Sequence, residues 1–302
     1  MISSKASIYG IRPVLNIKKS LLVADSGVIP ITDIITNGTR IDLEYDKTLY
    51  DGFLFKFLQG FTTTKDKLVF MCTGSIKENS VMNSYYLNNL SKLYKREYNK
   101  TGHGNGMTYN SKTNKVLLVG PDSNRKVFEY NGETLEKEKE YSYPTYPKST
   151  SIGYNYDNDL YIGNGLGGFF LLNSTDFKKL YEFSYFTFET GQDLEYYNGY
   201  IFDCLTNVGV VVNYQSYSFY NYLDNIIYVY NVKLDKNNNP TKNFGRLTAR
   251  LIMSGLGELE SISFRDGYVY LGFNINGAYT FYKFKYKKLT EKIKIQLKIL
   301  ED

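Results

Sequence analysis

The stretch Thr101–Gly120, TGHGNGMTYNSKTNKVLLVG, decides how this chain is read. It holds His103, the only histidine in 302 residues, with Gly102, Gly104 and Gly106 crowded around it. A run of strand formers follows, then a polar turn, then a second strand. Standing alone, the histidine would suggest a catalytic or metal site. The pattern instead recurs. QGFTTTKDKLVFMC (Gln59–Cys72), TSIGYNYDNDLYIGNG (Thr150–Gly165), GQDLEYYNGYIFDC (Gly191–Cys204) and GELESISFRDGYVYLGF (Gly257–Phe273) follow the same plan. Each opens on Gly or polar residues and enters a short strand. Each then turns through TTKDK, NSKTNK, NYDND, YNG or RDG and returns in a more apolar strand. Those turns are rich in residues that tolerate positive φ, as hairpins require.

The openings, near residues 59, 103, 150, 192 and 258, lie about 40 to 47 residues apart except for a longer fourth unit. That is the length of one four-stranded propeller blade. In the second unit the strands read near Gly106–Asn110, Val116–Gly120, Lys126–Asn131 and Glu136–Tyr143. A blade cannot bury both its faces, so a ring of blades must supply the core. The expected fold is all-β, a five-bladed β-propeller of four-stranded antiparallel blades over residues 51–302. Residues 1–50 read as an extra N-terminal strand segment, for attachment or for extending a blade. The last blade has two possible closures. One is KIKIQLKI (Lys292–Ile299), whose apolar residues alternate at strand period. The other is a strand from the N-terminus.

Composition agrees with this class. Tyr (31) and Phe (19) are abundant strand formers, and no long helical period appears. The net charge of +5 is spread over scattered lysines, which argues against a nucleic-acid surface. No run of about 18 apolar residues predicts a membrane span. The N-terminus lacks a clear secretory pattern, so synthesis and assembly in a cytoplasm are expected. Cys72 and Cys204 end the second strands of the first and fourth units, which are not neighbours in a ring of five. Both are expected as buried free thiols.

In a meander, the entry to the first strand and the second-to-third connection share one end. The opening residues Gln59, His103, Asn105, Gln192, Asp193, Glu195, Glu258 and Glu260 should therefore gather at one mouth near the axis. The extra length of the fourth unit lies in its second-to-third connection, Asn207–Asp224, read as a long loop over that mouth. It carries Tyr214, Tyr217 and Tyr220. Aromatic rings above carboxylates and amides suit a carbohydrate, because rings stack on sugar faces while polar groups hold hydroxyls. Packing against a neighbour or another subunit is the competing use of this segment. The mouth carboxylates also allow a glycosidase-like pair, although a binding protein is favoured over an enzyme. No cofactor is expected. Calcium is the metal that His103 with several oxygen ligands would suit, without any EF-hand pattern to support it. GNGLGG (Gly163–Gly168) joins strand to strand and lacks the helix a phosphate cradle needs.

The openings GHGNGMTYNSKTNKVLLVG, QGFTTTKDKLVFMC, GQDLEYYNGY and GELESISF resemble those of five-bladed propeller domains in tail receptor-binding proteins of phages and prophages of low-GC Gram-positive bacteria. Helveticin-type bacteriocin propellers look similar. The resemblance spans roughly Gly52–Tyr286. It implies a virion protein, a tail or appendage component, that binds host cell-wall polysaccharide or teichoic acid or docks other phage structural proteins. It also implies a homo-oligomer, with a trimer as the usual form, and a role in ligand binding for Gln59, His103, Asn105, Gln192, Glu195, Glu258 and Glu260. The chain departs from the family in showing no coiled-coil stem and no tower domain. The alternatives are a carbohydrate-active hydrolase or lyase and a secreted, extracellular bacteriocin-like propeller.

Overall fold

The computed structural model describes residues 39–41, 57–73, 80–99, 104–120, 126–142, 151–165, 168–184, 190–214, 217–254, 257–275 and 278–285. Those residues form twenty strands and no helix. The strands make five separate four-stranded antiparallel sheets. The first contains β2 (Phe57–Thr63), β3 (Lys67–Thr73), β4 (Ser80–Tyr86) and β5 (Asn89–Asn99). The second contains β6 (Gly106–Asn110), β7 (Lys115–Val119), β8 (Lys126–Asn131) and β9 (Lys137–Ser142). The third contains β10 (Ile152–Asn155), β11 (Leu160–Gly165), β12 (Gly168–Asn173) and β13 (Lys179–Ser184). The fourth contains β14 (Thr190–Tyr197), β15 (Tyr200–Tyr214), β16 (Tyr217–Asn231) and β17 (Leu247–Ser254). The fifth contains β18 (Glu258–Arg265), β19 (Tyr268–Ile275), β20 (Ala278–Lys285) and, outermost, β1 (Thr39–Ile41). We call these sheets blades one to five.

The core shows how the blades are arranged. It divides into five apolar clusters, each shared by two blades. Leu58, Phe61 and Phe70 of blade one pack with Tyr270 and Phe281 of blade five. Val69 and Met71 of blade one meet Met107 and Leu118 of blade two. Leu117 and Val127 meet Ile152 and Phe170 of blade three. Ile162 and Phe169 meet Leu194 and Tyr230 of blade four. Phe202 and Ile227 meet Leu259 and Leu271 of blade five. Five seams for five blades close a ring. The fold is a five-bladed β-propeller.

The N-terminal strand completes the last blade: Thr39, Arg40 and Ile41 pair with Lys283, Tyr282 and Phe281 of β20. First and last parts of the chain are thereby joined in one sheet, which ties the ring shut. Lys292–Ile299, the other closure considered, lies outside the described residues.

Local chemistry sets each hairpin. Asn198–Gly199 and Asp266–Gly267 have φ of 51°, 83°, 50° and 75°, the double left-handed geometry of a type I′ turn. Blades two and three use a longer turn in which an Asn side chain accepts two backbone N–H groups. Asn110 Oδ1 accepts from Lys112 and Thr113, and Asn155 Oδ1 from Asp157 and Asn158. Near the axis the backbones come so close that side chains are excluded. A Cβ on Gly60 would lie 2.2 Å from the Asn105 carbonyl oxygen, and one on Gly106 2.5 Å from Ser151 Cα.

The segment Asn207–Asp224, expected as a loop, is a continuation of the blade-four hairpin. The ladder between β15 and β16 runs on to Tyr214↔Tyr217, with shifts at Asn207/Val208 and Val208/Val210. The β14 ladder stops at Thr206, and the β17 ladder at Asp224. Beyond these points the ribbon is two-stranded. The run of β-branched and aromatic residues on both sides of the tip favours pairing over an irregular loop.

Cys72 and Cys204 are both free and buried, in different seams. Burial pushes both thiols well above the ordinary cysteine range. The native protein should therefore leave a thiol reagent such as Ellman's unreacted at neutral pH, with two equivalents released after denaturant is added. Prompt labelling of the native protein would contradict the packing of both seams.

Candidate functional site

Five innermost strands, β2, β6, β10, β14 and β18, line the axis. In three of them the ladder slips at the polar opening residues, between Leu58 and Phe61, Gly191 and Leu194, and Leu259 and Ser261. Gln59, Gln192, Asp193 and Glu260 fall within these irregularities. Such bulges re-aim side chains and cluster near functional or axial positions.

Four of the predicted residues meet at the seam of blades four and five. Gln192 Nε2 donates to Glu258 Oε1 at 2.7 Å. Burial, and then the neighbouring Glu258 carboxyl, raise Glu260 well above the usual carboxylate range. Asn274 Nδ2 donates to Glu260 and, at 3.0 Å, to the Leu58 carbonyl. Asp193 lies at the centre. Its carboxylate oxygens accept from the backbone N–H of Leu194 and of Met107 across the axis. Its Oδ2 is 2.6 Å from Ser261 Oγ, which is also 3.1 Å from the Phe61 carbonyl. A hydroxyl has one proton to give. Ser261 Oγ donates to Asp193, and the Phe61 carbonyl lies within reach of the same hydroxyl. Burial raises Asp193 and Glu260 well above the usual carboxylate range and Glu195 to about 8. These residues bind blades one, two, four and five together at the axis.

Gln59 and Asn105 are also buried, and the backbones of Gly60 and Asn105 touch across the seam of blades one and two. Among the described residues, no hydrogen bond joins their side chains to the carboxyl group. His103 lies outside the described residues. Tyr214 and Tyr217 pair at the tip of the hairpin, and Tyr220 pairs with Val211. Among the described residues, no group of three or more His, Cys, Asp or Glu side chains is spaced to hold a metal ion.

Among the described residues, a cavity lies at the other end of the innermost strands. A cavity of about 190 Å³ is lined by Thr62 and Thr63, Tyr109 and Ser111, Tyr154 and Tyr156, Glu195 to Tyr197, and Ser263 to Gly267. Every blade contributes, and every contribution comes from the residues just before or within the first hairpin turn. Glu195 is the one predicted residue that reaches it, near the end of β14. Its carboxyl accepts from the Tyr196 N–H at 3.1 Å. The aromatic wall is held in place by its outer bonds. Tyr196 OH donates to Asp157 and accepts from the Gly199 N–H, while Tyr156 OH accepts from the Asn198 N–H at 2.9 Å. The rings of Tyr156 and Tyr196 meet edge to face at 5.1 Å. Tyr156 remains 44% exposed despite these contacts, so its ring is available to a ligand.

Sequence reasoning placed the site at the openings and missed this wall. A signal for it exists in the repeat. Tyr109, Tyr154, Tyr196, Tyr197 and Phe264 all stand within two residues of the turn or of the last strand pair, and aromatic residues there recur in four of the five units.

The sequence matches no family model and no curated protein. Similar solved structures exist. A glutaminyl cyclase of Myxococcus xanthus has a TM-score of 0.51 at 11% identity, covering 76% of this chain and 90% of that one. The Neurospora crassa Pan2 WD40 domain has a TM-score of 0.43 at 10% identity, covering 82% and 95%. Hydrazine synthase of Kuenenia stuttgartiensis has a TM-score of 0.44 at 8% identity, covering 76% and 59%. Likeness at these identities is one of fold.

Proposed function

We propose that this chain is a binding protein that holds a sugar unit of a host cell-wall glycan in its axial cavity, as a tail or appendage component of a phage or prophage virion. The observation that carries the binding part is the cavity wall, where tyrosines and one Phe from four blades surround hydroxyl and charged groups. Rings give a sugar its flat apolar contact, and the Thr, Ser and Asp groups between them suit its hydroxyls. The virion part rests on the resemblance of the blade openings. Several copies on one particle would turn a weak single contact into firm attachment.

Sedimentation of the purified protein with Gram-positive cell walls tests this reading. Binding is expected without release of soluble sugar. Tyr156→Ala should weaken it about tenfold, the loss of roughly 1.4 kcal/mol, while the melting temperature stays nearly unchanged. Equal binding by the variant would remove the cavity from the reading.

One observation favours a second reading, a sugar-active hydrolase. Glu195, raised to about 8, would be protonated at neutral pH and so able to act as a general acid, with Asp266 in the same cavity. Release of reducing ends from a wall polymer, abolished by Glu195→Gln, would establish it.

A further inference from the structure

Resting on the sugar-binding reading of the cavity, we infer that the ring it holds carries a carboxylate or a phosphate, set against the guanidinium of Arg265. Arg265 ends β18 and forms part of the cavity wall. Its guanidinium carbon lies 5.5 Å from the centre of the Tyr109 ring, a cation–π contact that orients the planar group. Its Nε is buried and has no hydrogen-bond partner. Among the described residues, no ion pair involves Arg265.

The cavity's own carboxyls do not supply the missing charge. Glu195 is kept neutral by burial around neutral pH. Asp266 follows Arg265 in the chain but sits exposed on the turn and makes no ion pair with it. A second unmatched group faces the same ligand problem: Thr62 Oγ1 of the adjoining blade is fully buried, has no partner and lines the same cavity. An anionic oxygen accepts from a guanidinium and from a hydroxyl together, and charge-assisted bonds of this kind are the stronger ones. A neutral sugar hydroxyl would satisfy Thr62 yet leave the arginine's charge partly desolvated without a counter-charge. Size limits the ligand further. At about 190 Å³ the space is below the 300–1,000 Å³ or so of drug-sized sites, so it takes one ring at the end of a chain.

Isothermal titration with three single-ring probes tests the inference: glucose, glucuronate and glucose 6-phosphate, which differ only at carbon six. At low ionic strength, one or both anions should bind at least about tenfold more tightly than glucose, and the tighter of the two identifies carboxylate or phosphate as the source. Arg265→Gln should bring the anion-to-glucose ratio close to one. Arg265→Lys, which keeps the charge but loses the fork, should retain part of the preference and guards against a variant that fails to fold. Glucose binding as tightly as both anions in the native protein would overturn the inference and leave the sugar reading standing, as would an anion preference that survives Arg265→Gln. If none of the three probes binds, both fall together.

Discussion

Melting temperature should fall as pH is raised from about 5 to about 8, the reverse of the usual behaviour of a protein held by ionised carboxylates. Glu195 has its ordinary value of 4.5 in the unfolded chain and about 8 in the fold. Between those limits the folded protein binds a proton that the unfolded chain releases. Its contribution to stability is complete below about pH 4.5 and is lost as pH rises through about 8. Asp193 and Glu260 are raised in the same direction, mainly by burial, and add to the slope. Each such proton is worth about 1.4 kcal/mol per pH unit within its window. For a chain of this size each kcal/mol moves Tm by roughly 2 °C, so a decline of several degrees per pH unit is expected at low salt. Glu195→Gln and Glu260→Gln keep the hydrogen-bonding shape without an ionisable group. Each should flatten the profile and melt above the native protein at about pH 8. A flat native profile would show that these carboxyls are ionised in the fold and compensated by their donors.

Asn274→Leu is expected to cost about 3 to 5 kcal/mol, measured by denaturant unfolding. Asn274 is the clasp between the last blade and the first. Its Oδ1 accepts from the Leu58 N–H at 2.8 Å, and its Nδ2 donates to the Leu58 carbonyl at 3.0 Å and to Glu260. Leucine has similar bulk but satisfies none of these groups. A buried polar group left without a partner costs about 1 to 3 kcal/mol, and three are left here. The remaining bonds of the same seam, Thr63 N–H to Ser263 Oγ at 3.1 Å and Ser261 Oγ to the Phe61 carbonyl, cannot reach Leu58. Asn274→Asp is a useful companion. It restores the acceptor for Leu58 N–H, so it should recover part of the loss only where its own carboxyl is protonated. An unchanged unfolding midpoint for Asn274→Leu would mean that the seam is held by its apolar cluster alone.

Much of the blade plan was legible because it is written locally. Alternating apolar residues and turn residues act within a few positions, so the second unit's strands were placed within a residue or so of β6 to β9. The cysteines were also predictable, because blade order follows chain order. Other features were harder. Leu135 and Phe177 hold φ of 56° and 55° in the third-to-fourth turns of blades two and three, where a polar residue or glycine would be the sequence expectation. Both are buried in seam clusters, and that packing offsets the backbone strain. The segment Asn207–Asp224 was read by length as a loop, whereas cross-strand pairing across its whole extent makes it a ribbon.

By itself the sequence determined the number of blades, their hairpins and the two thiols' separation, since each depends on short-range periodicity or on order along the chain. The tertiary structure alone decided which strand closes the ring and that side chains at the turn end of the axis line a cavity. At the opening end, bulges and close backbones let Gln192, Glu258, Glu260 and Asp193 bond to one another or to neighbouring blades. At the turn end, bulky tyrosines bonded on their outer sides hold the inner strands' ends around a cavity. That contrast arises from contacts between residues up to 216 positions apart, and no local pattern encodes such contacts.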